Sequence, residues 1–510
     1  MGTDDMDTRT SHTTGDPRTE GLGTGPGKDP AHAGTSGRGS AATGGDHVPG
    51  TPRAFHFIGI GGAGMSVVAE LLADRGLTVS GSDTAGSPVV DHLRGLGITV
   101  HVGHDPANVP PEAIVVVSSA IRDSNVELAA ARARGQQVIH RSQALALAAA
   151  GMRFVAVAGA HGKTTTSAML ALALQGVGMD PSAAIGGVIP ELGTGAHLGS
   201  GDVFVAEADE SDGSFLNYTP SIELVTNVEP DHLDHYRTRE AFEQVFVEFV
   251  ERLVPGGLLV CCAEDQGAAR LAAAARLQGH RVLTYGRPEK CGSRPDVGVE
   301  DVVEGPQGST ARLTLGGVRA DLVLEVPGWQ NVVNAAGAWT VGVELGGDPA
   351  AMAAALAHFR GAERRFQLRG EVGGRRVFDD YAHHPTEVAA ALAEARVVAG
   401  QGPVTVVFQP HLFSRTKAFA ERFARALSAA DAVVVTDIYA AREDPVPGID
   451  SSLITRHLPG SHLVPDMHEA ARVGARLTGP GGVLVTMGAG SITHTAADVV
   501  EEWRREETRG

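Results

Sequence analysis

Short apolar runs alternate with stretches of helical spacing along most of the chain, and the alternation begins three times. Residues 54–58, 79–82, 114–118 and 138–139 are runs of strand length, and 66–74 and 125–134 between them have helical spacing. Such a rhythm predicts parallel strands covered by helices. It restarts at residue 154 and continues through 202–207, 224–228 and 257–260. Residues 286–325 differ, because Gly, Pro, Val and Thr alternate there as in short antiparallel strands, inserted or appended. Helical spacing returns at 331–345 and 349–359, and a third series of buried-type runs lies at 376–379, 404–408, 432–436 and 483–487. No tandem repeat of fixed short period is present. The expected fold is α/β in three domains, at 53–150, 151–361 and 362–510.

Composition narrows the class. A chain of 510 residues exceeds what one core organises. Residues 1–52 are Gly, Thr, Asp, Pro and His with almost no large apolar side chain, and are expected to be a disordered tail. No apolar run approaches the roughly 20 residues that span a bilayer. There is no charged-then-apolar leader, so a cytoplasmic protein is expected, without membrane insertion. Three cysteines, two of them adjacent at Cys261 and Cys262, make no disulfide framework and fit a reducing compartment. A net charge of −18 argues against nucleic acid as a partner. Anionic small molecules remain open, since helix ends and single arginines reverse the field locally. The oligomeric state expected is a monomer or weak homodimer.

The most informative stretch is Gly159-Ala160-His161-Gly162-Lys163-Thr164-Thr165, directly after the apolar run 154–157. Glycines let backbone N–H groups close around phosphate oxygens, and the helix start adds a favourable dipole. Lys163 would supply a mobile charge for the β- and γ-phosphates, and the Thr164 hydroxyl a ligand for Mg²⁺. Only four lysines stand against 38 arginines in the chain, which makes one between Gly162 and Thr164 conspicuous. The usual G-x-x-x-x-G-K-T spacing is shortened here by two residues.

Four further constellations lie at predicted strand ends, where open α/β sheets build ligand sites. Gly59, Gly61, Gly62, Ala63 and Gly64 form a G-x-G-x-x-G turn, with Asp83 at the next strand's end, placed for a ribose. That fingerprint reads a diphosphate, so a nicotinamide dinucleotide and a UDP-linked ligand both suit it. Glu207 opens an acidic stretch with Asp209, Glu210 and Asp212, four acids that would repel one another without a cation. His232 and His235 follow Thr226-Asn227, and suit Mg²⁺ or Mn²⁺ beside ATP better than Zn²⁺, as no thiol pattern is near. Capping and turn roles account for the same residues. In the third block Tyr381, His383, His411 and Arg415 would suit a small carboxylate and the outer face of a nucleotide.

Taken in order, these pieces resemble the Mur ligases of peptidoglycan synthesis. The resemblance is carried by GIGGAGMS (59–66), SSAI (118–121), GAHGKTTT (159–166), EADESDGSFL (207–216) and TNVEPDHLDHY (226–236), then by NVVNA (331–335), RRFQ (364–367), DDYAHHPTE (379–387) and FQPHLFSRT (408–416). It spans the chain from residue 55 to about 492, and the last two signatures are the most specific. It implies two Rossmann-like parallel-sheet domains flanking a central P-loop ATPase domain. It also implies ATP and Mg²⁺ (or Mn²⁺) as cofactors, and UDP-N-acetylmuramate and L-alanine as substrates. The muramyl carboxylate would take the γ-phosphoryl group of ATP to give an acyl phosphate, which the amine of L-alanine then opens. Phosphoryl transfer of this kind needs positioning and charge neutralisation rather than a protein nucleophile.

Residue by residue, the resemblance implies that Gly159 to Thr165 grip ATP. Lys163, Glu207 and His232 would be catalytic, and Thr164, Glu207 and His232 would be metal ligands. Asn334 would read adenine, Arg365 would reach the phosphates and Asp380 would bind ribose. Gly59 to Gly64, Asp83 and Ser118 would hold the UDP substrate, with Tyr381, His383, His411 and Arg415 around the amino acid and muramyl group. Three departures stand out. Gln330 replaces a histidine ahead of Asn331, Ser491 replaces a late carboxylate, and no lysine lies between His232 and Val260 to bridge metals. Rival readings are a relative that joins a whole tripeptide, an NAD-dependent dehydrogenase built on Gly59 to Gly64, and a non-catalytic nucleotide-binding module.

Overall fold

Three β-sheets follow one another along the chain in the computed structural model, which describes residues 54–509 apart from 232 and 442. The tail expected at 1–52 lies outside the described residues. The first sheet has five parallel strands in the order Thr99–Val102, Thr78–Asp83, Ala54–Ile58, Ile114–Val117 and Val138–His140. Every residue of the central strand Ala54–Ile58 is buried, as expected for a strand covered on both faces. Gly59 leaves it at φ +78° and starts the glycine-rich turn into the helix Ala63–Asp74. That helix buries Met65, Val68, Leu71 and Leu72.

The middle sheet has ten strands. Its parallel centre runs Arg281–Gly286, Leu258–Cys262, Ile222–Val225, Arg153–Ala158, Val203–Glu207 and Ser182–Ile189. The alternating segment around 286–325 forms Val297–Gly305, Gly308–Leu315 and Val318–Leu324, an antiparallel extension of one edge. At the other edge Thr194–His197 pairs antiparallel with Ser182–Ile189, a hairpin that the Gly- and Ala-rich sequence does not signal. One core cluster joins the first and middle sheets, with Phe55 and Phe57 in the same apolar body as Phe204, Phe242 and Phe249. Each fully buried phenylalanine contributes about 1.5–3 kcal/mol by transfer from water. On the opposite face the helices Lys163–Gly176 and Trp329–Glu344 pack together, with Trp339 buried and its Nε1 donating to the Pro349 carbonyl at 2.8 Å.

The last sheet has six strands, ordered Gln367–Val372, Arg375–Asp380, Val483–Met487, Val404–Phe408, Ala432–Val435 and His462–Leu463. Only the first pair is antiparallel. Val404–Phe408 and Val483–Met487 are buried throughout, with separate apolar clusters on their two faces. The C-terminal ends of strands from all three sheets converge on one region. Among the described residues no helix is long and apolar enough to cross a membrane.

Candidate active site

The strand Arg153–Ala158 delivers the chain into a loop that only glycine permits at two points. Gly159 has φ +132°, and a Cβ there would sit 2.2 Å from Thr226 Oγ1. Gly162 has φ +82° and opens the helix Lys163–Gly176, whose first turn holds no acidic residue. Thr226 and Asn227 at the end of the neighbouring strand pin the loop. The Thr226 hydroxyl donates to the His161 carbonyl at 2.5 Å, and the Asn227 amide brackets His161 by accepting from its N–H and donating to its carbonyl. The start of that helix therefore stays open to an anion.

Lys163 folds back across this loop. Its Nζ donates to the Gly159 carbonyl at 2.6 Å and to both carboxylate oxygens of Glu210 at 2.8 and 3.1 Å. Burial works against its charge, but Glu210 and Asp209 outweigh that and hold the ammonium above the usual lysine range. Asp209 is paired with Arg141, and although burial opposes its ionisation, Arg141 and Lys163 bring it down to about 2. Asp212 accepts from Ser119 and from the Ser214 N–H. The acidic stretch is thus neutralised largely by the chain's own cations, where the four acids alone suggest a metal. Glu207 is the member left facing the loop. Gly186 N–H donates to it at 2.7 Å and the Thr164 hydroxyl lies beside it, while burial raises it above the usual carboxylate range.

Two cavities meet at this loop, with Gly162, Arg365 and Glu387 lining both. The larger, of about 670 Å³, is bounded by Gly64, Arg141, Lys163, Glu207, Tyr381 and His383, so all three sheets contribute. The smaller, of about 410 Å³, is bounded by Thr165, Arg287, Trp329, Asn334, Asp380 and Glu394. Arg287 lies flat over the Trp329 ring, 3.5 Å from its centre, and is fixed there by Glu264. Asp380 is buried and accepts N–H bonds from Phe366 and Ala382 at 2.7 Å each, and desolvation lifts it to about 6. Arg364 and Phe366 flank Arg365 with φ of +59° and +48°, a left-handed conformation costly for side chains of this size. Both arginines lie over the Tyr381 ring.

Around the larger cavity, His383 Nδ1 is 3.0 Å from the Tyr381 carbonyl and 3.2 Å from Glu387. Burial lowers it to about 3, so the ring is neutral across the working range and Nε2 is its acceptor. Arg415 is buried and pairs with Asp231 through 2.9 and 3.0 Å contacts, joining the last sheet to the middle one. His411 Nδ1 stands 3.2 Å from Arg415.

Most of the sequence-predicted residues therefore gather. His161, Gly162, Thr165, Asn334, Arg365 and Asp380 line the smaller cavity, Ala160, Lys163 and Thr164 face the larger one, and Gly159 lines neither. Of the dinucleotide-type turn, Ala63 and Gly64 reach the larger cavity. Asp83 is turned onto its own turn, accepting from Gly61 N–H at 2.8 Å, and Ser118 lines neither cavity. His232 lies outside the described residues. Sequence reasoning did not single out Arg141, Glu387, Arg287 or Trp329. Arg141 directly follows the strand Val138–His140, so the rule that sites form at strand ends would have flagged it.

Comparison with known proteins matches this layout. Residues 54–153 match the Mur ligase family catalytic domain, 157–342 the Mur ligase middle domain, and 364–490 the Mur ligase glutamate ligase domain. A UDP-N-acetylmuramate–L-alanine ligase of Kineococcus radiotolerans is 54% identical over 452 residues, covering 87% of this chain and 95% of that protein. One of Paenarthrobacter aurescens is 52% identical over 88% of this chain and 96% of its own. The crystal structure of a UDP-N-acetylmuramate–alanine ligase from Thermotoga maritima is similar with a TM-score of 0.73 at 29% identity, covering 89% of this chain and 99% of that one.

Proposed function

The chain belongs to the Mur ligase family, and we propose that it joins L-alanine to the carboxylate of UDP-N-acetylmuramate, converting ATP to ADP and phosphate in peptidoglycan precursor synthesis. A carboxylate cannot acylate an amine at neutral pH without a better leaving group. A carboxylate oxygen attacks the γ-phosphorus, the bond to the β-phosphate oxygen breaks, and ADP leaves. The amine nitrogen then attacks the acyl carbon and inorganic phosphate departs with the electron pair. A proton is released from the amine on the way.

Each step draws on groups already placed. ATP lies in the smaller cavity, with Asn334 at the base, Asp380 at the ribose and the loop N–H groups on the phosphates. Lys163 moves from Glu210 onto the migrating phosphoryl group, and Arg365, lining both cavities, reaches the same oxygens from the last sheet. Glu207 beside Thr164 fits a divalent cation, because its buried carboxylate faces the larger cavity and its hydrogen bonds come from the Gly186 N–H and the Thr164 hydroxyl, with the charges of Lys163 and Arg365 near it. Thr164, Glu207 and His232 would hold that ion, which when bound supplies charge neutralisation between the γ-phosphate and the acyl group. The UDP-sugar approaches over Ala63, Gly64 and Arg141. Neutral His383 offers its Nε2 lone pair to the incoming amine, with Tyr381, His411 and Arg415 around it.

One observation carries this reading: a single cavity is lined at once by the diphosphate-type turn, the phosphate loop with Glu207, and the Tyr381–His383 pair. The test is ADP release with UDP-N-acetylmuramate and, in turn, L-alanine, L-serine, glycine and a tripeptide. Turnover with L-alanine is expected, and turnover with the tripeptide alone would overturn the assignment.

A further inference from the structure

The phosphate loop carries a side chain that the reaction above does not use. His161 sits between Ala160 and Gly162, its backbone held by Asn227 and Thr226, and its ring points toward the last sheet. Nε2 is 3.4 Å from Glu229, which follows the middle-sheet strand Ile222–Val225. Nδ1 is 3.3 Å from Glu387, on the helix Pro385–Ala399 of the last sheet. A neutral imidazole has one N–H, so one of its nitrogens would turn a lone pair toward a carboxylate. Carboxylates on both sides favour the doubly protonated cation.

We propose that His161 is a positioning residue that, as a cation gripped by Glu229 and Glu387, straps the phosphate loop to the helix bearing the amine pocket and so couples hold on ATP to placement of Arg365 and His383. The inference rests on the ligase reading of the site. Glu387 is the hub. Beyond His161 it stands 3.7 Å from Arg365 and 3.2 Å from His383 Nδ1, and it accepts the His383 N–H at 2.9 Å. One carboxylate therefore touches the ATP loop, the arginine aimed at the phosphates and the histidine of the amine pocket.

Other charged and titratable groups surround the strap. Glu229 is also held by Arg422 at 2.5 Å and by the Thr386 hydroxyl at 2.6 Å, and His384 Nδ1 stands 4.0 Å away. His384 stacks on His161 with ring centres 4.7 Å apart. Burial, then the neighbouring His161 charge, lowers His384 to about 4, so it stacks as a neutral ring. Lys163, on the loop itself, is turned to Glu210. Burial opposes the His161 charge, but Glu387 and Glu229 prevail and raise it to about 9.

His161, Glu229 and His384 are also near enough to suggest a metal site. Ring orientation argues otherwise. The two rings are stacked with planes 30° apart, so their in-plane lone pairs run alongside one another rather than converging, and His384 Nδ1 already accepts the Thr386 N–H at 3.4 Å.

The test uses the full chain with His161→Gln, Glu387→Gln and the double variant, with His161→Asn in reserve should the glutamine protein not fold. Each single change is expected to raise KM for ATP and for L-alanine by about tenfold, within the range of coupling between residues of one network, and to leave KM for UDP-N-acetylmuramate within about twofold. The double variant should be no worse than the worse single one. Above the acid limb, from about pH 7 upward, KM for ATP in the parent should stay level to about pH 8.5 and rise as pH passes through 9, whereas in His161→Gln it should be raised and flat over the same alkaline range. Unchanged KM values, additive variants, or a surviving inflection near pH 9 in His161→Gln would overturn the strap. ADP affinity by calorimetry reads it without turnover. A parent that fails to ligate while His161→Gln still weakens ADP would unseat the ligase reading and leave the strap standing.

Discussion

Lys163 Nζ lies 2.8 Å from a carboxylate oxygen of Glu210, so the cation proposed to grip phosphate is also the counter-ion of an acid 47 residues on, just past the end of the neighbouring strand Val203–Glu207. Polyphosphate must compete with Glu210 for it, and the partner holds the long side chain in the loop rather than in solvent. Lys163→Ala would remove the charge proposed for the transition state and take one partner from the buried Glu210 carboxylate. The loss expected in kcat is at least about 10³-fold, the scale of deleting a charge aimed at the developing transition state. Steady-state ADP release measures it, and a variant ligating as fast as the parent would place the chemistry elsewhere.

Arg141 poses the corresponding question at the other end of the cavity. Its guanidinium lies against the first turn of the helix Ala63–Asp74, where a Cβ added at Gly64 would meet Nη1 at 2.5 Å. A cation beside a helix N-terminus is unfavourable unless an anion sits between them, and that turn has no acidic residue. Asp209 compensates from the middle sheet. In the proposed reading a substrate diphosphate would take the same gap. Gly64→Ala should displace only the flexible guanidinium, leaving Tm nearly unchanged while raising KM for UDP-N-acetylmuramate about tenfold, the value of one charge-assisted contact. Arg141→Ala should do the same, with KM for ATP unmoved. An effect of equal size on both substrates would contradict this role.

Much of this was readable from residues alone, for reasons that are local. The loops at Gly59 and Gly159 are set by backbone conformations that few residues adopt, and strands such as Val404–Phe408 are continuous apolar runs. What was hidden is long-range. That Arg415 would pair with Asp231, or that Glu387 would meet His161, depends on sheets packing across 184 and 226 residues of chain. The acidic stretch after Glu207 looked like a metal cage because Arg141 and Lys163, its actual partners, are remote in sequence. The hairpin Ser182–Ile189 and Thr194–His197 was missed because glycine and alanine carry little strand signal, whereas pairing to Val203–Glu207 decides its conformation.

Asp380 should impose a pH dependence on ATP affinity. Burial raises its acid to about 6 from 3.8, so the folded protein binds the proton more tightly than the unfolded chain. Between those two values the folded state holds more protons, and stability from this group falls as pH rises across that window. For nucleotide binding the sign is opposite. In the proposed role the ionised carboxylate would accept the ribose hydroxyls, and protonation would remove acceptor strength. KM for ATP should therefore rise as pH drops below about 6. Asp380→Asn should show a raised KM with that inflection missing, and its stability should decline less than the parent's between pH 4 and 6. A variant keeping the parent's inflection would assign it to another acid.

Gly159 tests whether the loop is held by its neighbours or merely permitted by its glycines. Its φ of +132° is a conformation that side chains rarely adopt, and an added Cβ would stand 2.2 Å from Thr226 Oγ1 and 2.9 Å from the Asn227 carbonyl. Backbone cannot yield as a flexible side chain does. Gly159→Ala must therefore move the Thr226–Asn227 corner that pins His161. The strand Arg153–Ala158 is buried in the middle of its sheet, so the fold should survive with a stability loss of about 1–3 kcal/mol from the strained position. ATP affinity should fall much further, by about 100-fold, because several loop N–H groups lose their aim together. UDP-N-acetylmuramate affinity should hold, since its proposed turn lies on another sheet. Calorimetric titration of both ligands against Gly159→Ala separates the outcomes, and equal losses for the two would show general unfolding rather than a misaligned phosphate cradle.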